Sequence, residues 1–247
     1  MGKNPLEMLG MVAQMQSQAP QAAGEPVDPN APKTEAQEFS ARILGSTEDV
    51  WGQLFAADGG KYPAPTMVLF QGAVQSACGG ATSASGPFYC PGDRKVYLDT
   101  RFFDEMKTKL GGGGDFAQAY VIAHEVGHHI QTITGVSDKV NQVRAKGGNV
   151  EGDGGLLVRQ ELQADCYAGL WAHYAQQEKQ WMEPGDLEQA VNTAQAIGDD
   201  TLQRQSQGTV VPDAFSHGSA EQRMAWFTRG FDTGDIGQCD TFNAAQL

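Results

Sequence analysis

The sequence predicts an α+β fold, predominantly helical, with a small β-sheet beside one long helix. Two observations carry this. Three short β-prone runs, "TMVLFQG", "PFYC" and "KVYLD", cluster between residues 66 and 99 among Gly and Pro turns, the pattern of a small sheet rather than a barrel. From Asp115 onward the chain repeats its apolar residues mostly at helical spacing. A chain of 247 residues, 40% of them hydrophobic, can build one sizeable domain.

Taken in order, the first stretch includes "MQSQAPQAAGEPVDPNAPK", rich in Pro, Gln and Ala and without apolar periodicity. Residues 1–36 therefore read as a flexible lead-in and residues 37–247 as the folded domain. Phe39, Ile43, Val50 and Leu54 then mark one face of an amphipathic helix, expected to break near Gly45. The three β-prone runs follow. After the flexible "GGGG", Asp115 is placed to cap a helix that runs through "VIAHEVGHHIQ". Further helices are expected in "GLLVRQELQADCYAGLWAHYAQQ", in "PGDLEQAVNTAQAIGDDTLQRQ" and over "SAEQRMAWFTRGF".

Charge narrows the partners. Thirty acidic residues against 17 basic ones give a formal charge of -13, which argues against nucleic acid, since phosphate backbones need clustered Lys and Arg. No stretch reaches the 18 or so apolar residues of a membrane-spanning helix, and "MGKNPLEMLGMV" is too short and polar for a secretory signal, so the chain reads as soluble. The four cysteines form no CxxC pair, which favours disulfides and an oxidising compartment over a zinc-cysteine site. Of the three pairings, Cys78 with Cys90 is preferred, because the turn-rich "GGATSASGPFY" between them can bring its ends together; Cys166 is then left for Cys239. Free buried thiols are the alternative.

The chemistry concentrates in "VIAHEVGHHIQ". Residues four apart on a helix differ by about 40° in direction and about 6 Å in height, so His124 and His128 can turn two imidazoles toward one ion. Glu125, rotated by about 100°, is free to act as general base on a water activated by the metal. Gly127 lets another segment pass close by. Catalytic zinc takes three protein ligands, and "RQELQADCYAG" offers Glu161 as the third, with Asp165 one turn on to accept the free N–H of a ligand imidazole. His129 points off the metal side and reads as structural, while His173 lies about 18 Å along the helix from Glu161, too far to join it.

"VIAHEVGHHIQ", "RQELQADCYAG", "GPFYCPGDRKVYLD", "AQAIGDDTLQRQSQG" and "FSHGSAEQRMAWFTRGFD" together resemble the bacterial neutral zinc metallopeptidase family, over about residues 37 to 247. More broadly, H-E-x-x-H followed by E-x-x-x-D is similar to the gluzincins, including the prenyl-protein endopeptidases. The resemblance implies a zincin-like fold, Zn2+ bound by His124, His128 and Glu161, and Glu125 as base. Family members often carry one N-terminal membrane-spanning helix and project the catalytic domain outside the cytoplasm. This chain departs from that pattern: either such a segment lies outside these residues or this member lacks an anchor, so the expected periplasmic or cell-surface location, with or without tethering to the inner membrane, rests chiefly on the cysteines. The prenyl-protein endopeptidases also carry a His with an Arg six residues on. His217 and Arg223 look similar, although Gly218 stands where that family usually has Pro. By that likeness His217 serves the oxyanion and Arg223 orients the segment, with Asp199 or Asp200 as its expected partner.

The resulting expectation is a zinc-dependent endopeptidase acting on a peptide or protein substrate, with "KVYLD" as the edge strand that pairs with it. The alternative is a non-catalytic, zinc-stabilised extracytoplasmic binding protein. Structural zinc normally takes four protein ligands, often cysteines, whereas this constellation supplies three and a spare carboxylate.

Overall fold

A computed structural model describes residues 34–82, 85–102, 115–180, 183, 185–196 and 198–247. The lead-in expected over residues 1–36 lies almost wholly outside these, as does most of "RFFDEMKTKLGGGG". The described residues form an α+β arrangement of seven α-helices and two small sheets.

Helix α1, Glu35–Ala57, starts on a capping box in which Thr34 and Gln37 satisfy each other's backbone N–H groups. It runs unbroken through Gly45. One glycine costs a helix interior only about 1 kcal/mol relative to Ala, and burial of Ile43, Val50 and Trp51 along one face outweighs it.

Strands β1 (Thr66–Phe70), β4 (Phe88–Cys90) and β5 (Lys95–Asp99) form one sheet in the order β1-β5-β4, with β5 parallel to β1 and antiparallel to β4. This corrects the expectation for "KVYLD". It is the central strand, its Val96, Tyr97, Leu98 and Asp99 all buried, and its backbone groups are committed on both sides. A nearly continuous apolar run is the mark of such a strand. Among the described residues the edges are β1 and β4, and Cys90 at the end of β4 is joined to Cys78 by a disulfide. Cys78 belongs to the turn of a hairpin, β2 (Ala73–Ser76) with β3 (Gly79–Thr82), which the pattern of small residues in "AVQSACGGAT" did not announce.

The helical part is α2 (Asp115–Ile133), α3 (Val136–Ala145), α4 (Leu156–Lys179), α5 (Asp186–Ala196), α6 (Asp199–Gln207) and α7 (Ala220–Thr233). Asp115 is the first residue of α2, in its opening turn. Helices α2, α4 and α7 approach one another closely at small residues. A Cβ on Gly127 of α2 would meet the backbone of Ala164 on α4 at 3.0 Å, and one on Gly169 or Gly230 would collide with the backbone across the α4–α7 crossing. A second disulfide, Cys166–Cys239, ties α4 to the turn after α7. Around these crossings lie the buried Tyr120, Ile130, Leu162, Leu170, Trp171 and Phe227.

Candidate metal centre

Helix α2 presents His124, Glu125 and His128 to a cavity of about 450 Å³, and α4 brings Glu161 to them. The Nε2 of His124 lies 3.2 Å from Glu161 Oε2, and the Nε2 of His128 lies 3.4 Å from Glu161 Oε1. Ligand atoms of these three side chains fall within 4.8 Å of one another. The close passage at Gly127 is what lets α4 come near enough to supply the carboxylate.

Each imidazole is turned by an acceptor behind it. His124 Nδ1–H donates to Asp165 Oδ1 at 2.7 Å, and His128 Nδ1–H donates to Gln131 Oε1 at 2.9 Å. The Gln131 amide is itself fixed, since its Nε2–H₂ donates to Gln160 O and Gln163 Oε1. With both Nδ1 atoms committed to those acceptors, both Nε2 atoms face Glu161, and once deprotonated they complete with it the donor set of a divalent cation that accepts nitrogen and oxygen ligands. The residues therefore fit zinc.

The electrostatics agree. Burial alone would strip the proton from His124, but Asp165 and Glu161 outweigh it and push its pKa up to about 10. The same balance, with Glu161 as the attracting charge, raises His128. Burial opposes ionisation of Glu161, yet His128 and His124 hold it well below the usual carboxylate range. Glu161 is thus held ionised between two imidazoles, and a cation accepted there would take the place of their Nε2 protons, so that binding releases protons.

Arg223 corrects the sequence reading. Its partner is not Asp199 or Asp200 but Asp165, reached by Nε to Oδ2 at 2.9 Å and Nη2 to Oδ1 at 3.0 Å. The fully buried Asp165 also accepts from the Tyr120 hydroxyl at 2.5 Å, and Arg223 donates to that hydroxyl at 3.2 Å. Burial works against ionising Asp165, but Arg223 and His124 hold it at about 2. Tyr120, Arg223 and Asp165 thus form a sealed network behind His124. Tyr120 was missed, although it lies four residues before His124, on the same helical stripe; Gln131, three after His128, carried the same kind of signal.

Asp199 instead holds the His217 loop. Its Oδ2 accepts from the backbone N–H of Ser216, His217 and Gly218 at 2.6, 2.7 and 3.2 Å, and its Oδ1 accepts from His217 Nδ1–H at 3.1 Å. That hydrogen bond, more than any other influence, raises the pKa of His217, whose half-exposed ring lines the cavity. Burial opposes ionisation of Asp199, and His217 brings it down.

His129 takes no part in the ligand cluster. Its Nε2–H donates to Pro63 O at 2.6 Å and its Nδ1 accepts from the Tyr89 hydroxyl at 3.1 Å, so it pins β4 against α2, and burial lowers its pKa. His173 donates to Phe231 O and pairs with Gln177, far from the cavity lining.

Comparison with known proteins agrees with this geometry. Residues 1–242 match the family described as "Putative neutral zinc metallopeptidase". The chain belongs to this family. It is 54% identical to the uncharacterized protein YpfJ of Escherichia coli K12 over 216 residues, 87% of this chain and 74% of YpfJ. It is 46% identical to the uncharacterized protein Rv2575 of Mycobacterium tuberculosis H37Rv over 212 residues, 82% of this chain and 69% of that protein. No solved structure matches. For this zinc metallopeptidase family member, both disulfides fit an oxidising compartment, and no helix among the described residues is long and apolar enough to cross a membrane.

Proposed function

We propose that this chain is a zincin-like, zinc-dependent endopeptidase in which His124, His128 and Glu161 hold the metal and Glu125 is the general base. The observation that carries the reading is the convergence of two Nδ1-anchored imidazoles on both oxygens of Glu161, at 3.2 and 3.4 Å, in a cavity that Glu125 also lines. Zinc, when bound, supplies Lewis-acid polarisation of the scissile carbonyl and acidifies water.

The chain's own residues supply the rest. Glu125 takes a proton from the attacking water and returns it to the leaving amine. His217, with Nδ1–H committed to Asp199, meets the negative charge developing on the carbonyl oxygen as an imidazolium through Nε2–H. Among the described residues β4 is an edge, and its Phe88 and Tyr89 line the cavity, which suits pairing with an extended peptide or protein substrate. A zinc-stabilised binding protein would have no use for Glu125 beside an open three-ligand set. The two disulfides support a site of action outside the cytoplasm; any membrane tether would be supplied by residues other than those described.

The test is zinc content together with cleavage of a diverse peptide library read by mass spectrometry. Glu161→Ala should lose zinc. Glu125→Gln should keep it while hydrolysis falls at least about 10²-fold. Wild-type turnover in Glu125→Gln would remove Glu125 from its role, and undiminished zinc in Glu161→Ala would remove Glu161.

A further inference from the structure

Helix α6 is polar throughout except at one place. Its sequence, Asp199–Gln207, reads "DDTLQRQSQ", and Leu202 is the single apolar residue. Leu202 belongs to none of the three hydrophobic clusters and is 42% exposed, so the described fold gains little from it. Yet it lines the metal cavity, whose wall also includes Phe88, Val121 and Phe102. The helix is held in place there from its first turn, where Asp199 grips the His217 loop and Asp200 accepts from Ala220 N–H at 2.8 Å.

We propose that Leu202 is a specificity-determining residue, and that with Phe88, Val121 and Phe102 it receives a large uncharged apolar side chain of an extended peptide. The proposal rests on the peptidase reading and gives it a substrate class. What sets Leu202 apart from other exposed apolar residues is its place in the wall of the metal cavity, where a ligand would cover it. Among the described residues the short strand β4, which bears Phe88, is an edge beside which the backbone of such a ligand can pair. Charge is selected against, because Glu161 is engaged between two imidazoles and Arg223 on Asp165, while the remaining ionic groups of the cavity, Glu125 and His217, are committed by the proposed mechanism to the attacking water and the carbonyl oxygen. A substrate Asp or Lys side chain set against Leu202 would lose water and gain no counter-charge.

The test separates binding from cutting. Zinc-loaded protein carrying Glu125→Gln is titrated with end-blocked hexapeptides that differ at one residue (Leu, Phe, Gly, Asp or Lys, at each position in turn), and Kd is read by fluorescence anisotropy. At one position the Leu and Phe peptides should bind at least about tenfold more tightly than the Asp and Lys peptides. That ratio should collapse in Leu202→Ala and tilt toward the Asp peptide in Leu202→Lys; both changes sit on an exposed helix face, so the fold should persist. An unchanged ratio in both variants, or no binding of any peptide, overturns the proposal. Cleavage of the same peptides by protein retaining Glu125 gives the separate readout. Selective binding without cleavage would overturn the peptidase reading and leave Leu202 in its role, whereas cleavage with no apolar preference would do the reverse.

Discussion

Asp165 and Asp199 both accept the Nδ1–H of a cavity histidine, but they are held by different means. Asp165 lies inside the helical core, and its other partners are the side chains of Tyr120 and Arg223, themselves buried. Asp199 lies at the first turn of α6, and its other partners are three consecutive backbone N–H groups of the 216–218 loop. The first arrangement makes His124, the proposed metal ligand, part of the fold. The second shapes a loop and leaves its histidine half-exposed. Damage at Asp165 should therefore appear mainly as lost stability and metal affinity, and damage at Asp199 mainly as lost turnover.

Asp165→Ala should produce the largest effect. It leaves the Arg223 guanidinium buried without its counter-charge, and removing one partner of such a pair costs about 3–5 kcal/mol. Urea unfolding of metal-free protein measures it, and a loss below about 1 kcal/mol would show that Arg223 does not depend on Asp165. Zinc affinity should fall about 10- to 100-fold as His124 loses its orienting acceptor. The pH dependence has a definite sign. The folded-state carboxyl, at about 2, lies below its ordinary 3.8, so its stabilisation is complete above pH 4 and disappears as pH falls toward 2. Asp165→Asn should lack that part of the acid transition.

Asp199→Asn should reverse the balance, with stability changed by no more than about 1–2 kcal/mol and zinc retained. Turnover should fall about 10- to 100-fold through misplacement of His217. Because the Nδ1–H of His217 is given to Asp199, its Nε2–H exists only in the protonated ring, and activity should decline as pH rises through its elevated pKa. Without the aspartate charge that pKa drops, so the alkaline limb of the kcat profile should move to lower pH. A profile superimposable on wild type would detach His217 from catalysis.

The same contrast marks what was legible in the sequence. His124 and His128 could be paired because helical geometry is local and periodic: a spacing of four fixes a shared face before any tertiary contact forms, whereas Glu161, on another helix, was sought because catalytic zinc takes three protein ligands. The two helices bearing Glu161 and Arg223 were equally plain from their apolar spacing. Which carboxylate Arg223 would choose was not, because the α4–α7 crossing decides it, and that crossing depends on where Gly169 and Gly230 permit backbone approach. The β2–β3 hairpin escaped notice for a related reason. Its residues are small, so its pairing rests on backbone hydrogen bonds and on Cys78–Cys90 rather than on an alternating apolar pattern. "KVYLD" was recognised as a strand but assigned to the edge, because order within a sheet is set by partners distant in sequence.

The smallest effect is expected at Gly218, where the Asp199 arrangement can be disturbed without touching either ionisable group. Gly218 has φ of +92°, and a Cβ there would sit 3.1 Å from Gln222 Oε1, 3.2 Å from Val158 Cγ1 and 3.3 Å from Leu162 Cδ2. Its N–H is the longest of the three that Asp199 collects, at 3.2 Å. Gly218→Ala keeps that donor but imposes a conformation that L-residues resist, at about 1–2 kcal/mol, with modest crowding added. Relief by a small backbone rotation would loosen the weakest anchor of the loop while Ser216 and His217 still bind Asp199. Stability should thus drop by about 1–2 kcal/mol and kcat only a few-fold, with zinc content and the Asp165-linked acid transition unchanged. Gly218→Pro is the sharper version: the ring fixes φ near −65° and removes the N–H, so His217 should lose its placement and kcat should fall toward the level of Asp199→Asn. If Gly218→Pro turned over like wild type, the backbone clamp at Asp199 would be ornamental to His217, and the distinction between the two aspartates would rest on burial alone.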